Sequence, residues 1–274
     1  MATDKQSKGK HTTAETRKPF LTGLVADERT LKSSLAFFGT LILVFFIAFI
    51  ACATATFSNL LLRIFLNAAV VILALIVFFN NGSKRGAEDV AKGEILWQKK
   101  EKGLDISESE RKLCFHPFKG YVIGVAGTLP FILLALYLAV NTSLQMTGSG
   151  TLPSWMQTYT KRGDIGNALI NYTQPEGMAF IDYIRMIVRI MMIPFVNIAG
   201  NADKNGILLV ERLSPLLLLL PAAAYGSGYL TGRSIRTQIH TAINVNDQKR
   251  IRREKKRRNA RNRAAQNREP EKLN

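Results

Sequence analysis

A run of basic residues near the C-terminus constrains the fold of this chain more than any other feature. Residues 249–263 contain ten Lys/Arg and one acidic residue, Glu254. Charges are costly to move through hydrocarbon, and basic segments beside a membrane span are retained on the cytoplasmic side. The C-terminal end is therefore expected to lie in the cytoplasm. This constrains the number and direction of the membrane crossings that precede it.

Upstream of this run the sequence alternates between apolar and charged blocks. Their average, 47% hydrophobic residues with a mean hydropathy of +0.06, resembles that of an ordinary protein. Four windows nevertheless approach the roughly 20 apolar residues that cross about 30 Å of hydrocarbon as a helix, and a fifth window is ambiguous. The pattern predicts an all-α, polytopic helical membrane protein with four transmembrane helices plus one amphipathic or re-entrant helix.

The distribution of Lys and Arg orients these windows. Residues 80–119 carry nine Lys/Arg, whereas residues 141–177 carry only Lys161 and Arg162, so the first loop is expected inside and the second outside. With both termini cytoplasmic, the chain crosses the plasma membrane an even number of times, and we favour four crossings. The alternative keeps residues 178–199 as a span and splits the last window at its prolines into two short crossings.

The four-crossing arrangement divides the chain into eight segments. They are a disordered basic cytoplasmic arm (1–34), a transmembrane hairpin of two spans (35–80), a charged cytoplasmic loop with short helices (81–119), a third span (120–141), an extracytoplasmic loop (142–177), an amphipathic or re-entrant helix (178–200), a last span (207–232) and a polybasic cytoplasmic tail (233–274).

Charged residues within or beside the spans form a second pattern. Asp182, Arg185 and Arg189 recur at i, i+3 and i+7 of an otherwise apolar segment, so they share one helix face. In the four-span arrangement they fall near the outer leaflet with three other charges. The candidate intramembrane polar cluster is Arg63, Asp182, Arg185, Arg189, Glu211 and Arg212. It forms either a salt-bridged structural knot, which we favour, or a weakly cationic groove for an anionic substrate or lipid headgroup.

Glycines at helical spacing indicate close helix contacts. Small residues let membrane helices approach, because these helices associate by packing rather than by a hydrophobic drive. The residues expected at such contacts are Gly120, Gly124, Gly127, Gly226, Gly228 and Gly232. The same faces permit self-association or a hetero-oligomer.

The residue types that carry catalysis or bind metals are scattered. His11, His116 and His240 lie in different segments, and neither a phosphate-binding loop nor a helical HExxH metal motif is present. Cys52 lies in an apolar window and Cys114 in a charged loop, which suggests two free thiols. We therefore expect no cofactor, no metal and no enzymatic activity.

The basic tail is the expected contact with an anionic partner. The expected partner is anionic lipid headgroups, which contribute about 1 kcal/mol per basic residue at the membrane surface. The alternative is RNA or a ribosome, held through phosphates. The run also suffices as a topology signal alone. The residues concerned are Lys249, Arg250, Arg252, Arg253, Lys255, Lys256, Arg257, Arg258, Arg261 and Arg263.

One family resemblance suggests an alternative function. Arg63 in a span, a charged loop, Pro117-xx-Gly120 leading to Pro130, an external loop and a basic tail form a layout similar to that of YidC-type membrane protein insertases. The resemblance implies that the span arginine lines a hydrophilic groove and that the tail meets the ribosome. On this alternative the chain is a transport or membrane-protein-insertion component.

Overall fold

The computed structural model describes residues 18–25, 28–53, 59–142, 154–166, 169, 179–200 and 203–266. These ranges contain helices and no β-strand. Four of the helical segments are long and apolar enough to cross a membrane. The protein is an all-α helical membrane protein, which confirms the fold class predicted from the sequence.

The helices are numbered here in chain order. Two short ones, α3 and α5, lie in loops; α5 is followed by a 3-10 turn, Thr158–Lys161. The four candidate spans are α1, α2, α4 and the joined pair α8–α9. The bounds are α1 (Glu28–Ala53), α2 (Leu60–Glu101), α3 (Glu108–Arg111), α4 (Lys119–Asn141), α5 (Ser154–Gln157), α6 (Phe180–Met191), α7 (Ile193–Ala199), α8 (Lys204–Leu217) and α9 (Leu219–Gln266).

Contacts between the spans show that their directions alternate. Gly82 and Gly86 of α2 lie against Tyr225 and Tyr229 of α9, so these two helices run parallel. Gly120 of α4 lies against Tyr229 of α9, and Gly124, one turn later in α4, lies against Ala222, which comes earlier in α9. α4 therefore runs antiparallel to α9. Ser33, near the start of α1, accepts a hydrogen bond from Arg85 in the second half of α2 at 3.1 Å. The starts of α1 and α4, the end of α2 and the second half of α9 therefore share one end of the bundle, called here the basic end. The opposite end is called the far end.

Two helices continue well beyond the thickness of a bilayer. α2 has 42 residues and α9 has 48, which correspond to about 63 and 72 Å against about 30 Å of hydrocarbon. Contacts between them continue from Gly82 to Glu94 of α2, where Glu94 meets Arg236 and His240 of α9. We call this paired extension the stalk. Residues 246–264 of α9 lie beyond it, are exposed throughout and are called the tail helix.

The sequence predicts a loop with short helices after residue 80. In the structure α2 instead continues from the span to Glu101 as one helix. Asn80, Asn81, Gly82 and Ser83 are poor helix formers, yet α2 passes through them. Gly82 admits the backbone of α9, and the Ser83 hydroxyl donates to the carbonyl of Gly228 at 3.0 Å. Tertiary packing thus overrides local propensity. The chain turns after α2 at Gly103, which has φ of +72°.

The N-terminal arm also differs from the disordered segment predicted for residues 1–34. α1 begins at Glu28, and the Leu21 amide donates to the carbonyl of Gly93 at 3.1 Å while the Gly23 amide donates to the carbonyl of Phe115 at 2.9 Å. Backbone contacts with the stalk and with the loop before α4, which composition does not reveal, hold residues 18–25. Residues 1–17 of the predicted arm lie outside the described ranges.

The ambiguous window consists of two short helices that bend at Met192. α6 has 12 residues and α7 has seven, or about 18 and 10 Å, so neither alone spans the hydrocarbon. Pro194 begins α7, where a missing backbone N–H does no harm. Val188 and Met191 of α6 pack against Ala135 and neighbouring residues of α4. The pair therefore forms a layer at the far end.

Candidate functional site

The predicted polar cluster centres on one buried carboxylate at the far end. Glu211 of α8 is 3% exposed. Its Oε1 lies 2.6 Å from Nη2 of Arg189 and 3.4 Å from Nε of Arg185, and its Oε2 accepts a hydrogen bond from the Thr142 hydroxyl. Arg185 also donates to Asp182 through Nη1 at 2.7 Å. The network joins α6, α8 and the end of α4.

The charges in this network balance, with two arginines facing two carboxylates. Burying ions costs several kcal/mol each, and their mutual attraction offsets this cost only while every partner is present. Removing one partner leaves an uncompensated charge beside the buried side chains of Arg185 and Glu211. The arrangement is suited to fixing α6 against the bundle.

An open cavity of about 460 Å³ lies beside the network, between α6 and α7. Apolar residues such as Met186 and Ile193 line it together with Asp182, Arg185 and Arg189. Arg189 has a side chain 37% exposed, whereas that of Arg185 is 8% exposed. Arg189 is thus the more accessible of the two cations.

The remaining two members of the predicted cluster lie elsewhere. Arg63 donates to the carbonyl of Ile198 at 3.5 Å, in the last turn of α7, and its guanidinium lies beside Gly200. Gly200 has φ of +88°, and a Cβ there would also meet the Arg63 side chain. Arg212 is exposed on α8. The structure therefore groups four of the six predicted residues.

A hydrogen-bonded pair of asparagines, Asn67 and Asn197, lies near Arg63 and was not predicted. Asn197 of α7 donates to the carbonyl of Cys52 in α1 at 3.1 Å and to Oδ1 of Asn67 in α2 at 3.3 Å. Asn67 is fully buried and donates to the carbonyl of Arg63 at 2.8 Å. Asn197 therefore connects α7 to both helices of the first hairpin. An asparagine within each of two apolar windows is the sequence signal that could have indicated it.

A second buried network lies at the basic end. Asp89 of α2, 1% exposed, accepts a hydrogen bond from the Tyr229 hydroxyl of α9 at 2.9 Å. Its carboxylate also lies 3.4 Å from Nζ of Lys119 and 3.2 Å from Nζ of Lys92. Lys119 donates to the carbonyl of Lys112 at 3.1 Å. One carboxylate thus joins α2, α4 and α9 to the loop before α4.

A third network holds the stalk together. Glu94 of α2 is 6% exposed and accepts from Arg236 of α9 at 2.9 Å. The Nε2 atom of His240 lies 2.9 Å from both oxygens of the same carboxylate. These residues were not predicted, because the mixed charges of residues 80–119 are typical of a solvated loop. Arg236 and His240 are four residues apart, so they share one face of a helix, which was the available signal.

The six predicted packing glycines all lie against another helix. Gly120 and Gly124 face α9, Gly127 faces α1, Gly226 faces Tyr121 of α4, and Gly228 and Gly232 face the backbone of α2. Their partners Gly82 and Gly86 were not predicted. Because each helix of the α2–α9 pair supplies glycines four residues apart, the two backbones come into direct contact.

The thiols and potential metal ligands are dispersed. In the part of the chain that the structure describes, no group of three His, Cys, Asp or Glu side chains is placed to hold a metal ion. Cys52 and Cys114 are both buried, and neither forms a disulfide. Burial raises the pKa of the Cys114 thiol, which lies in the loop before α4.

The tail helix has no apolar face, and in the part of the chain that the structure describes residues 246–264 are all exposed. All ten Lys/Arg of residues 249–263 are exposed. Within this run Arg250 pairs with Glu254 at 3.3 Å, one turn away. A helix that is polar on every side gains little by lying on a membrane surface.

The chain matches no protein-family model, and no curated protein or solved structure is significantly similar to it.

Proposed function

We propose that this chain is a non-catalytic plasma-membrane protein that presents its tail helix to a polyanionic partner in the cytoplasm. In this arrangement the basic end and both termini face the cytoplasm. One observation carries the proposal: ten exposed Lys/Arg surround a helix that continues a transmembrane span. Basic segments beside spans are retained in the cytoplasm.

The length of α9 favours a partner in the aqueous phase over the lipid surface. The apolar part of α2 ends at Phe79, whose carbonyl lies beside Gly228. Residue 249 follows 21 residues later, about 30 Å further along a straight helix. Screening lengths at physiological ionic strength are about 8 Å. Most of the attraction between the basic run and anionic headgroups is therefore lost over this distance.

The placement of charge on every side of the helix favours structured RNA. An RNA groove presents phosphates along both of its edges, and basic residues bind them through a salt-dependent attraction without sequence readout. The tail lacks aromatic residues for base stacking, so the expected binding is electrostatic. A ribosomal surface would offer the same chemistry.

Replacing the ten basic tail residues with Gln tests this proposal. The intact protein in zwitterionic nanodiscs is titrated with a fluorescent RNA hairpin at two salt concentrations. We expect the wild type to bind with steep salt dependence and the Gln variant to lose at least about tenfold in affinity. A matched control changes the seven tail arginines to Lys, which keeps the charge and should keep the binding.

Two outcomes would contradict the RNA assignment. Equal RNA binding by the wild type and the Gln variant would leave the tail as a topology signal alone. If neither protein binds RNA and the Gln variant binds anionic vesicles more weakly than the wild type, the tail would be assigned to lipid. Circular dichroism would check that the Gln variant keeps its helical content.

Reporter fusions test the proposed orientation separately. Reporters at residue 165, residue 203 and the C-terminus should report outside, outside and inside. A cytoplasmic residue 203 would end the four-crossing arrangement.

The alternative, a transport or insertion component, draws support from the cavity beside Arg185 and Arg189. Two observations favour the structural knot instead. The charges around Glu211 are balanced, and Arg63, which the insertase resemblance would place in a groove, contacts the end of α7. Loss of a transport phenotype with normal folded yield in Arg189→Ala would favour the alternative.

A further inference from the structure

A polar groove separates α1 from α2 at the basic end of the bundle. Its volume is about 360 Å³, and it is open to the surroundings of the bundle. Tyr225 of α9 lies on its inner side and packs its ring edge against Phe37 at a centroid distance of 5.0 Å. The polar side chains that line it include Ser33 and Thr40 of α1 and Asn81, Lys84 and Arg85 of α2.

The groove contains a cation that is positioned but incompletely neutralised. Arg85 donates to the Ser33 hydroxyl at 3.1 Å through Nη2 and to Glu88 at 3.4 Å through Nη1. Its Nε is buried, lies 3.9 Å from Asp89 and has no hydrogen-bond partner among the described residues. A guanidinium has five N–H donors in a planar fork that fits phosphate oxygens. Nearby Lys84 is exposed and adds a second cation.

The surroundings do not cancel this positive charge. Asp89 is already engaged by Lys92, Lys119 and the Tyr229 hydroxyl. Glu88 is exposed, with 60% of its side chain accessible, so its attraction to Arg85 is weakened by water. Among the described residues that line the groove, Lys84 and Arg85 are cationic and Glu88 is the one carboxylate.

The groove lies at the level where both helices change from apolar to polar. The apolar run of α2 ends at Phe79, two residues before the groove residue Asn81, and that of α1 begins at Leu35, immediately after Ser33 and Ser34. Ala36 and Phe37 continue the wall into the apolar zone. The cations are thus at headgroup depth, with an apolar surface below them. A soluble anion has no apolar part to contact the wall formed by Ala36 and Phe37, whereas a phospholipid does.

We propose that this groove binds the phosphate headgroup of an anionic phospholipid. Lys84 and the remaining N–H groups on Nη1 and Nη2 of Arg85 contact the phosphate oxygens, Asn81 donates a hydrogen bond, and one acyl chain lies along α1. Cationic pockets between spans are a known way of binding anionic headgroups. The site is separate from the tail helix and does not depend on the proposed function.

Native mass spectrometry of the delipidated full-length protein in detergent tests this site. It is titrated with phosphatidylglycerol and, separately, with phosphatidylcholine. The wild type should retain one phosphatidylglycerol in preference to phosphatidylcholine. Lys84→Gln should weaken that binding about fivefold, the effect of about one basic residue at a membrane surface. Ser33→Ala releases the Arg85 side chain from α1 and should also weaken it.

The matched control is Lys32→Gln, which removes the same charge from an exposed position of α1 that is not among the described residues lining the groove. It should change binding less than twofold. An equal loss in Lys32→Gln and Lys84→Gln would show general surface attraction and overturn the site. Equal retention of both lipids by the wild type would also overturn it.

Soluble competitors separate the two possible sources of phosphate. Inorganic phosphate and glycerol phosphate lack acyl chains, so they should displace the lipid poorly. Displacement at concentrations similar to those of the lipid would assign the groove to a soluble phosphate and contradict the proposal. Because Arg85 also faces Asp89, Arg85→Gln is used only after its thermal stability matches that of the wild type.

Discussion

Lys119 and Asp89 form an ion pair inside the protein, with Nζ 3.4 Å from Oδ2 and side chains only 3% and 1% exposed. The two residues are 30 positions apart and belong to different spans. The pair fixes the end of the loop before α4 to α2, and the Tyr229 hydroxyl adds α9 to the same carboxylate.

Removing one member of this pair should destabilise the protein strongly. Asp89→Ala leaves Lys119 as an unpaired buried cation, a change that costs about 3 to 5 kcal/mol. Unfolding of the purified protein in a denaturing detergent measures the loss. Glu88→Ala, one residue away and exposed, should change stability by less than about 0.5 kcal/mol. Equal effects of the two substitutions would contradict the structural role of the pair.

The far-end network should show the same asymmetry. Arg185→Ala breaks contacts with both Glu211 and Asp182 and should lower the folded yield, with a loss of about 3 kcal/mol. Arg212→Ala changes an exposed arginine next to Glu211 in sequence and should leave the yield unchanged. Size-exclusion profiles of both variants provide the measurement. A normal profile for Arg185→Ala would argue against a structural knot.

Glycine substitutions should separate contact positions from free ones. A Cβ on Gly86 would meet the backbone of Tyr229, whereas one on Gly39 has nothing within 4 Å. We expect Gly86→Ala to cost about 1 to 3 kcal/mol through overpacking. Gly39→Ala should be neutral or stabilising by up to about 1 kcal/mol, since Ala favours helix. The opposite order would show that α2 and α9 are not packed as described.

The buried thiol of Cys114 should react slowly with maleimide. Burial raises its pKa, so at neutral pH the group is the unreactive thiol, and labelling should accelerate only as pH rises toward that raised pKa. In a Cys52→Ala background, Cys114 should label at least about tenfold more slowly than a cysteine introduced by Ser109→Cys at an exposed position. Equal labelling rates in the folded protein would mean that the loop before α4 is open.

Local sequence patterns were sufficient for part of this structure. The apolar windows correctly predicted four candidate spans, and all six predicted glycines lie at helix contacts. The spacing of Asp182, Arg185 and Arg189 correctly predicted that they share one helix face. In the structure Arg185 pairs with Asp182, and both arginines contact Glu211. The position of Arg63 at the end of α7 could not be predicted, because it depends on how deeply α7 enters the first hairpin.

By itself, the sequence determined the membrane class and the number of candidate spans, because the cost of placing each block in hydrocarbon depends mainly on its own composition. It also supplied the basic run of residues 249–263, whose charge is a local property of the sequence. Only the tertiary structure decided that α2 and α9 form a stalk and that Asp89, Glu94 and Glu211 are buried ion-pair centres. Those partners are distant in sequence, and the close approach of the glycine-bearing helices sets the register that brings their charges together.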